Sequence, residues 1–235
     1  MTINKTKVSM VTPAVKTARK LHFWGVTPMT GKHSRARSVA MLTVLRDYLN
    51  LGDKEREITR ILNSGAVKLD GGIVKERRAA VGFMDVINLV SLNQTYRIIY
   101  DTNGRLVAIP DAKHAGSKLV KVTGKKSEGK GKYVISFHDG QNIISEDSTI
   151  TPNDVLLVSV PDKKIEQTLK LAPGAKVFMT GGSHVGETGT IKAVEVKKSS
   201  QANLVELEEG FSTTIDNVFV IGSQKFMFDL GRSGA

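Results

Sequence analysis

The chain has 235 residues, 40% of them hydrophobic and 24% charged, an ordinary globular composition that excludes disorder as the whole answer. Its apolar runs are four or five residues long, far short of the ~20 needed to span a bilayer. With no cysteine, disulfides, zinc fingers, thiolate nucleophiles and iron–sulfur clusters are excluded, and a reducing, cytoplasmic compartment is expected. A net charge of +11 calls for a polyanionic partner.

The charge is concentrated at one end. Residues 1–50 carry nine bases and one acid, whereas residues 201–235 carry two bases and five acids. The first acid is Asp47, so everything before it is purely cationic or neutral. No apolar stretch follows the first lysines, so no secretory signal is expected.

Residues 1–38 read as a basic N-terminal extension bearing Lys5, Lys7, Lys16, Arg19, Lys20, Lys32, Arg35 and Arg37. Pro13, Gly25, Pro28 and Gly31 interrupt any helical period. Such a segment buries too little apolar surface to order itself alone. It nevertheless holds His22, Phe23 and the single tryptophan, Trp24, with His33 further on. Bases interleaved with flat rings suit RNA, whose loops and ends offer both phosphates and exposed base faces. Two other readings compete. A transit peptide is also acid-poor and basic, but the broken periodicity and lysine bias go against it. Alternatively, Trp24 pins the segment to a core.

From Ser38 onward Met41, Leu42, Leu45, Tyr48 and Leu49 recur at helical spacing. This predicts a helix capped by Ser38 and ended by Gly52, with a terminus open to phosphates beside Arg35 and Arg37 and with Arg46 two turns on. A second helix, capped by Asp53, carries Ile58, Ile61 and Leu62 on its apolar face. Its charges alternate in sign over Lys54–Arg60, which predicts a solvated face. Next come a hairpin turning at Asp70-Gly71-Gly72 and a strand over Val81–Ile87.

Arg60-Ile61-Leu62-Asn63-Ser64-Gly65-Ala66-Val67-Lys68-Leu69-Asp70-Gly71 resembles the S-four-like RNA-binding module. Combined with Val44-Leu45-Arg46-Asp47-Tyr48-Leu49 and Gly82-Phe83-Met84-Asp85-Val86-Ile87, the match becomes more specific. It then resembles the small-subunit ribosomal protein family called S-four-e, of archaeal and eukaryotic type.

Beyond Leu89 the helical period disappears. Tyr96–Tyr100 and Leu106–Ile109 predict a hairpin with a type I′ turn at Asn103-Gly104. Strands at Leu119–Val122 and Tyr133–Phe137 flank a glycine- and lysine-rich loop holding Lys125, Lys126, Lys130 and Lys132, a finger for a phosphate backbone or a solvated tip. A turn at Asp139-Gly140 and a strand at Val155–Val158 complete a small barrel-like or sandwich pattern. Pro173–Ile191, with Gly181, Gly182, Gly186 and Gly189, resembles the KOW strand–loop–strand of SH3-like barrels that bind RNA or ribosome partners. Its glycines either shape a tight loop or admit a phosphate backbone.

Catalytic signatures are weak. Gly181–Thr188 nearly spells a phosphate-binding loop, but Glu187 stands where the lysine belongs. Gly104-Arg105-Leu106 is followed by Val107 instead of the aspartate that pseudouridine synthases use. The five histidines form no metal-binding spacing, and no nucleophile elbow occurs.

The expectation is a multi-domain α+β protein. Its parts are the extension (1–38), an S-four-like domain (39–90), a central β domain (91–170), an SH3-like KOW domain (171–212) and a tail (213–235). The resemblance departs in the extension, where Lys16–Trp24 keeps the family's tryptophan but little of its spelling, and Gly31-Lys32-His33 replaces Gly-Pro-His. It implies a non-enzymatic constituent of the small ribosomal subunit. Such a protein would bind small-subunit rRNA and neighbouring ribosomal proteins, with no cofactor, membrane or small-molecule substrate. A free RNA-binding regulator built from the same modules is the first alternative, and an RNA-modifying enzyme the second.

Overall fold

The computed structural model describes residues 5–20, 22–129, 131–223 and 226–228. Contacts divide the chain into two compact units, the first over Met1–Asp101 and Arg105–Lys118, the second over Thr102–Gly104 and Leu119–Ala235. Short antiparallel strands dominate both, within a mostly β member of the α+β class. Among the described residues no helix is long and apolar enough to cross a membrane.

In the first unit β1 (Lys5–Lys7) pairs with β2 (Trp24–Val26). Strand β3 (Ser38–Ala40) leads into helix α1, which is α-helical over Met41–Thr43 and π-helical over Val44–Tyr48. Helix α2 (Glu55–Asn63) buries Ile58 and Leu62. The following strands are β4 (Val67–Leu69), β5 (Gly72–Ile73), β6 (Ala80–Gly82), β7 (Val86–Leu89), β8 (Gln94–Tyr100) and β9 (Leu106–Pro110). Five of them form one sheet in the order β5-β4-β7-β8-β9, while β3 pairs with β6. Leu42, Leu45, Ile58, Leu62, Val67, Val86, Ile87 and Ile99 are fully buried in this unit.

Several expectations change here. The N-terminal extension is folded, not loose. Val8, Ala14, Thr27 and His33 are buried, Val15 bridges to Leu106, and Met29 N–H donates to Arg78 O at 2.7 Å. Ser38 is not a helix cap: it sits in β3 opposite Gly82, its hydroxyl buried without a hydrogen-bond partner. Nor does Asp53 cap α2. The cap residue is Lys54, and the Glu57 carboxylate reaches back to accept from the N–H groups of Asp53 and Lys54 at 3.0 and 3.1 Å. Residues 81–87 are two strands rather than one. Met84 adopts φ 67°, and the Asp85 carboxylate accepts the Gly82 N–H at 2.9 Å, so the chain turns sharply between β6 and β7.

The hairpin at Asp70-Gly71 matches its expected turn, with both residues at positive φ. The one at Asn103-Gly104 does not. Asp101 N–H bonds to Arg105 O, and only Gly104 of the two predicted turn residues has positive φ, so the loop is longer than two residues. This β8–β9 hairpin, expected to open a separate central domain, instead belongs to the sheet of β4, β5 and β7.

In the second unit β10 (Ser117–Gly129, of which Ser117 and Lys118 belong to the first unit), β11 (Lys132–Phe137), β12 (Asn142–Ser145), β13 (Val155–Ser159) and β14 (Ile165–Leu169) form a sheet in the order β12-β11-β10-β13-β14. Its core comprises Val120, Val122, Ile135, Phe137, Ile150, Leu156 and Val158. Next follow β15 (Lys176–Met179), β16 (Thr188–Glu195), β17 (Leu204–Leu207), β18 (Ser212–Thr214), β19 (Val218–Ser223) and β20 (Phe226–Met227). They form a six-stranded sheet ordered β18-β17-β16-β15-β19-β20. Most described residues beyond 212 are strand, interrupted by a 3-10 turn over Ile215–Asn217, and β19 pairs directly with β15.

Candidate nucleic-acid interface

The extension displays most of its cations. Lys7, Lys16, Arg19, Lys20, His22, Trp24, Arg35 and Arg37 are all exposed, while Lys5 contributes its backbone pairing to Val26. Docking fixes the backbone at Lys16 and the head of Arg35. Lys16 N–H donates to the Tyr48 hydroxyl at 2.9 Å, and Arg35 Nη2 donates to Thr6 Oγ1 at 2.8 Å. Burial pushes the Tyr48 phenol up to about 12, so it remains a neutral acceptor. Arg46 is half-buried and spent on Asp47, with Nε 2.5 Å from Oδ1. That hydrogen bond raises its pKa and cancels its charge locally.

The phosphate site expected at the start of α1 does not form. Met41 and Leu42 are buried, and their N–H groups donate to Ala79 O and Arg77 O, each at 2.9 Å. Strand β3, by pairing with β6, brings those carbonyls to the donors a phosphate would need.

Lys32 and His33 turn inward as well. His33 is buried, and its Nε2 donates to Asp85 Oδ2 at 2.9 Å. Asp85 Oδ1 accepts from Lys118 Nζ at 2.6 Å, and Lys118 also donates to Asp70 Oδ2 at 2.9 Å. Lys32 completes the chain on Asp70 Oδ2 at 2.8 Å. Burial alone would raise the Asp85 pKa, but the charges of Lys118 and His33 overcome it and hold the carboxyl far below the ordinary range. Gly82 makes the arrangement possible: a Cβ there would meet the His33 ring at 2.4 Å. These residues therefore lock the extension to the module, with His33, Asp85 and Lys118 buried and Lys32 partly exposed.

Sequence reasoning missed a second buried cation. Arg97 donates to Asp111, Met84 O, His114 O and Ser117 O. Burial lowers its pKa against the opposing pull of Asp111. Asp85 carried a signal in its Gly-x-x-Asp spacing. Arg97 and Lys118 carried none.

In the second unit the supposed lysine loop is mostly strand: β10 runs through Gly129 and pairs with β11 from Val122↔Phe137 to Gly129↔Lys132. Lys126 and Lys132 are exposed on this long hairpin, and Lys130 lies outside the described residues. Lys125 is partly withdrawn. Its Nζ donates to Ser148 O at 2.8 Å and Ile150 O at 3.1 Å, and lies 4.1 Å from the Tyr133 ring centroid.

The loop between β15 and β16 holds Gly181, Gly182 and Gly186. Gly182 is exposed, Gly181 backs onto Asn217, and Gly186 is buried. The Gly186 N–H donates to Met179 O at 2.8 Å, with φ at 82°. Both features shape the loop. At the rim His184 stacks on Phe211 with centroids 3.9 Å apart and hydrogen-bonds Glu187.

Solvent-facing cations on rigid short-strand scaffolds define the class: a basic, multi-domain α+β protein. Comparison gives the family. The model described as Ribosomal family S4e matches residues 92–165. The small ribosomal subunit protein eS4 of Thermoplasma volcanium is 51% identical over 229 residues, 97% of each chain. That of Picrophilus torridus is 48% identical with the same coverage. The crystal structure of 30S ribosomal protein S4e from Thermoplasma acidophilum has a TM-score of 0.74 and 47% identity, covering 82% of this chain and 99% of that one. The chain belongs to the S4e family of ribosomal proteins.

Proposed function

We propose that this protein is a non-catalytic constituent of the small ribosomal subunit. In this reading it binds and stabilises small-subunit rRNA and adjoins neighbouring ribosomal proteins. One observation carries the RNA contact: an extension without a single acid before Asp47 is folded so that Lys7, Lys16, Arg19, Lys20, Arg35 and Arg37 face solvent. Phosphates are met by such heads, and each one neutralised releases a counterion. Lys126 and Lys132 on the β10–β11 hairpin supply a second set of contacts. Lys32, His33 and Arg46 serve the fold instead, because their charged atoms are committed to carboxylates. The three domains expected between the extension and the tail are regrouped in this reading into the two compact units.

Sedimentation tests the reading. On a high-salt gradient the protein is expected to travel with the small subunit. Release to the top of the gradient would favour a free RNA-binding regulator.

A further inference from the structure

We infer that Phe23 and Trp24 form a stacking site for one unpaired nucleobase of the bound RNA; the inference rests on the RNA-binding role proposed above. The two rings are exposed, Phe23 by 64% and Trp24 by 49%. Their centroids are 4.9 Å apart at an interplanar angle of 88°. This makes an open right-angled corner, in which a flat base can lie on one ring with its edge against the other.

The corner is displayed by rigid backbone. Trp24 pairs with Lys7 in the β1–β2 ladder, and Phe23 O accepts the Val8 N–H at 3.0 Å. Little main-chain freedom is therefore left to be lost on binding, which is how exposed rings become effective contacts.

Charge selects the occupant. Lys7 Nζ lies 5.2 Å from the Phe23 centroid, His22 is adjacent and exposed, and Asp47, which lines a shallow cleft together with Trp24 and His22, is paired with Arg46. An apolar segment of another protein would cover the rings but leave the Lys7 ammonium without a counter-charge. A nucleotide brings both parts, a π-face for the ring and a phosphate for the ammonium. Base faces are hidden inside a duplex, so the ligand class is a loop, bulge or single-stranded end.

Trp24 is the only tryptophan, so the fluorescence of the full chain reads this site directly. Three probes are titrated at moderate salt: a short oligoadenylate, an abasic ribose-phosphate oligomer of equal length, and a blunt RNA duplex. Oligoadenylate is expected to quench Trp24 emission, and the other two to bind without quenching. Phe23→Ala should weaken oligoadenylate binding about tenfold while leaving the salt slope unchanged. Because Phe23 is exposed, an unaltered thermal melt will show that the variant is folded.

Equal quenching by the abasic oligomer would overturn the site, as would small-subunit rRNA binding that leaves Trp24 emission unchanged; RNA binding itself would then still stand. Quenching by small-subunit proteins but not by RNA would assign the corner to a protein neighbour and overturn the inference. Failure to bind any RNA would remove both the inference and the function beneath it.

Discussion

Asp85 shows how a single carboxylate can organise an otherwise featureless basic segment. It is buried, accepts the Gly82 N–H, and is shared by His33 and Lys118. Removing one partner of a buried ionic group leaves the others uncompensated, so Asp85→Asn is expected to cost about 3–5 kcal/mol, read by denaturant unfolding. Wild-type stability would survive the substitution only if the network were solvated. The pH dependence has a definite sign. The folded Asp85 pKa is depressed below its unfolded value, so the stabilisation is complete above the ordinary carboxylate range and fades as pH falls below about 4. Unfolding midpoints of wild type and Asp85→Asn should therefore converge in acid; a constant gap would contradict the assignment. Gly82→Ala places a methyl inside the His33 ring's volume and should destabilise by about 1–3 kcal/mol. An unchanged melt would show that His33 moves aside freely.

At the scale of elements, local signals were legible and long-range ones were not. Val67–Ile73 announced its hairpin through Asp-Gly, and Asn142 followed the Asp139-Gly140 turn as a strand. The glycines and lysines after Val122 concealed a strand, because the pairing that orders them comes from residues 132–137. That pairing also divides the lysines. Lys126→Ala with Lys132→Ala should flatten the salt dependence of rRNA binding by about one to two units and leave stability alone. Lys125→Ala should instead lower the melting temperature, since its ammonium ties down Ser148 O and Ile150 O. The reverse pattern would refute this division. Gly186→Val forces a β-branched residue to φ 82°, a strain of about 1–3 kcal/mol. Reduced incorporation into small subunits is expected, accompanied by a lower melt of the free protein. Reduced incorporation with an unchanged melt would return Gly186 to the RNA-contact reading.

At the scale of the whole chain, composition and motif order pointed to the family because each module carries its own local spelling. What they could not show is how sheets are shared. The β8–β9 hairpin joins β7 through pairs such as Ile87↔Tyr96, and Lys118 finds Asp70 from 48 positions away. The docking of the extension was equally hidden, since Val8, Ala14, Thr27 and His33 follow no period. Deleting residues 1–37 would therefore remove the His33 lock along with the charge, confounding binding with folding. The decisive measurement keeps the fold and removes exposed charge only. Binding of small-subunit rRNA by the full chain is followed against salt for wild type and for a variant combining Lys7→Ala, Arg19→Ala, Lys20→Ala and Arg37→Ala. A folded variant whose log K versus log[salt] slope is shallower by about three units is the result expected; a slope equal to that of wild type would contradict the claim that the exposed cations of the extension hold the RNA.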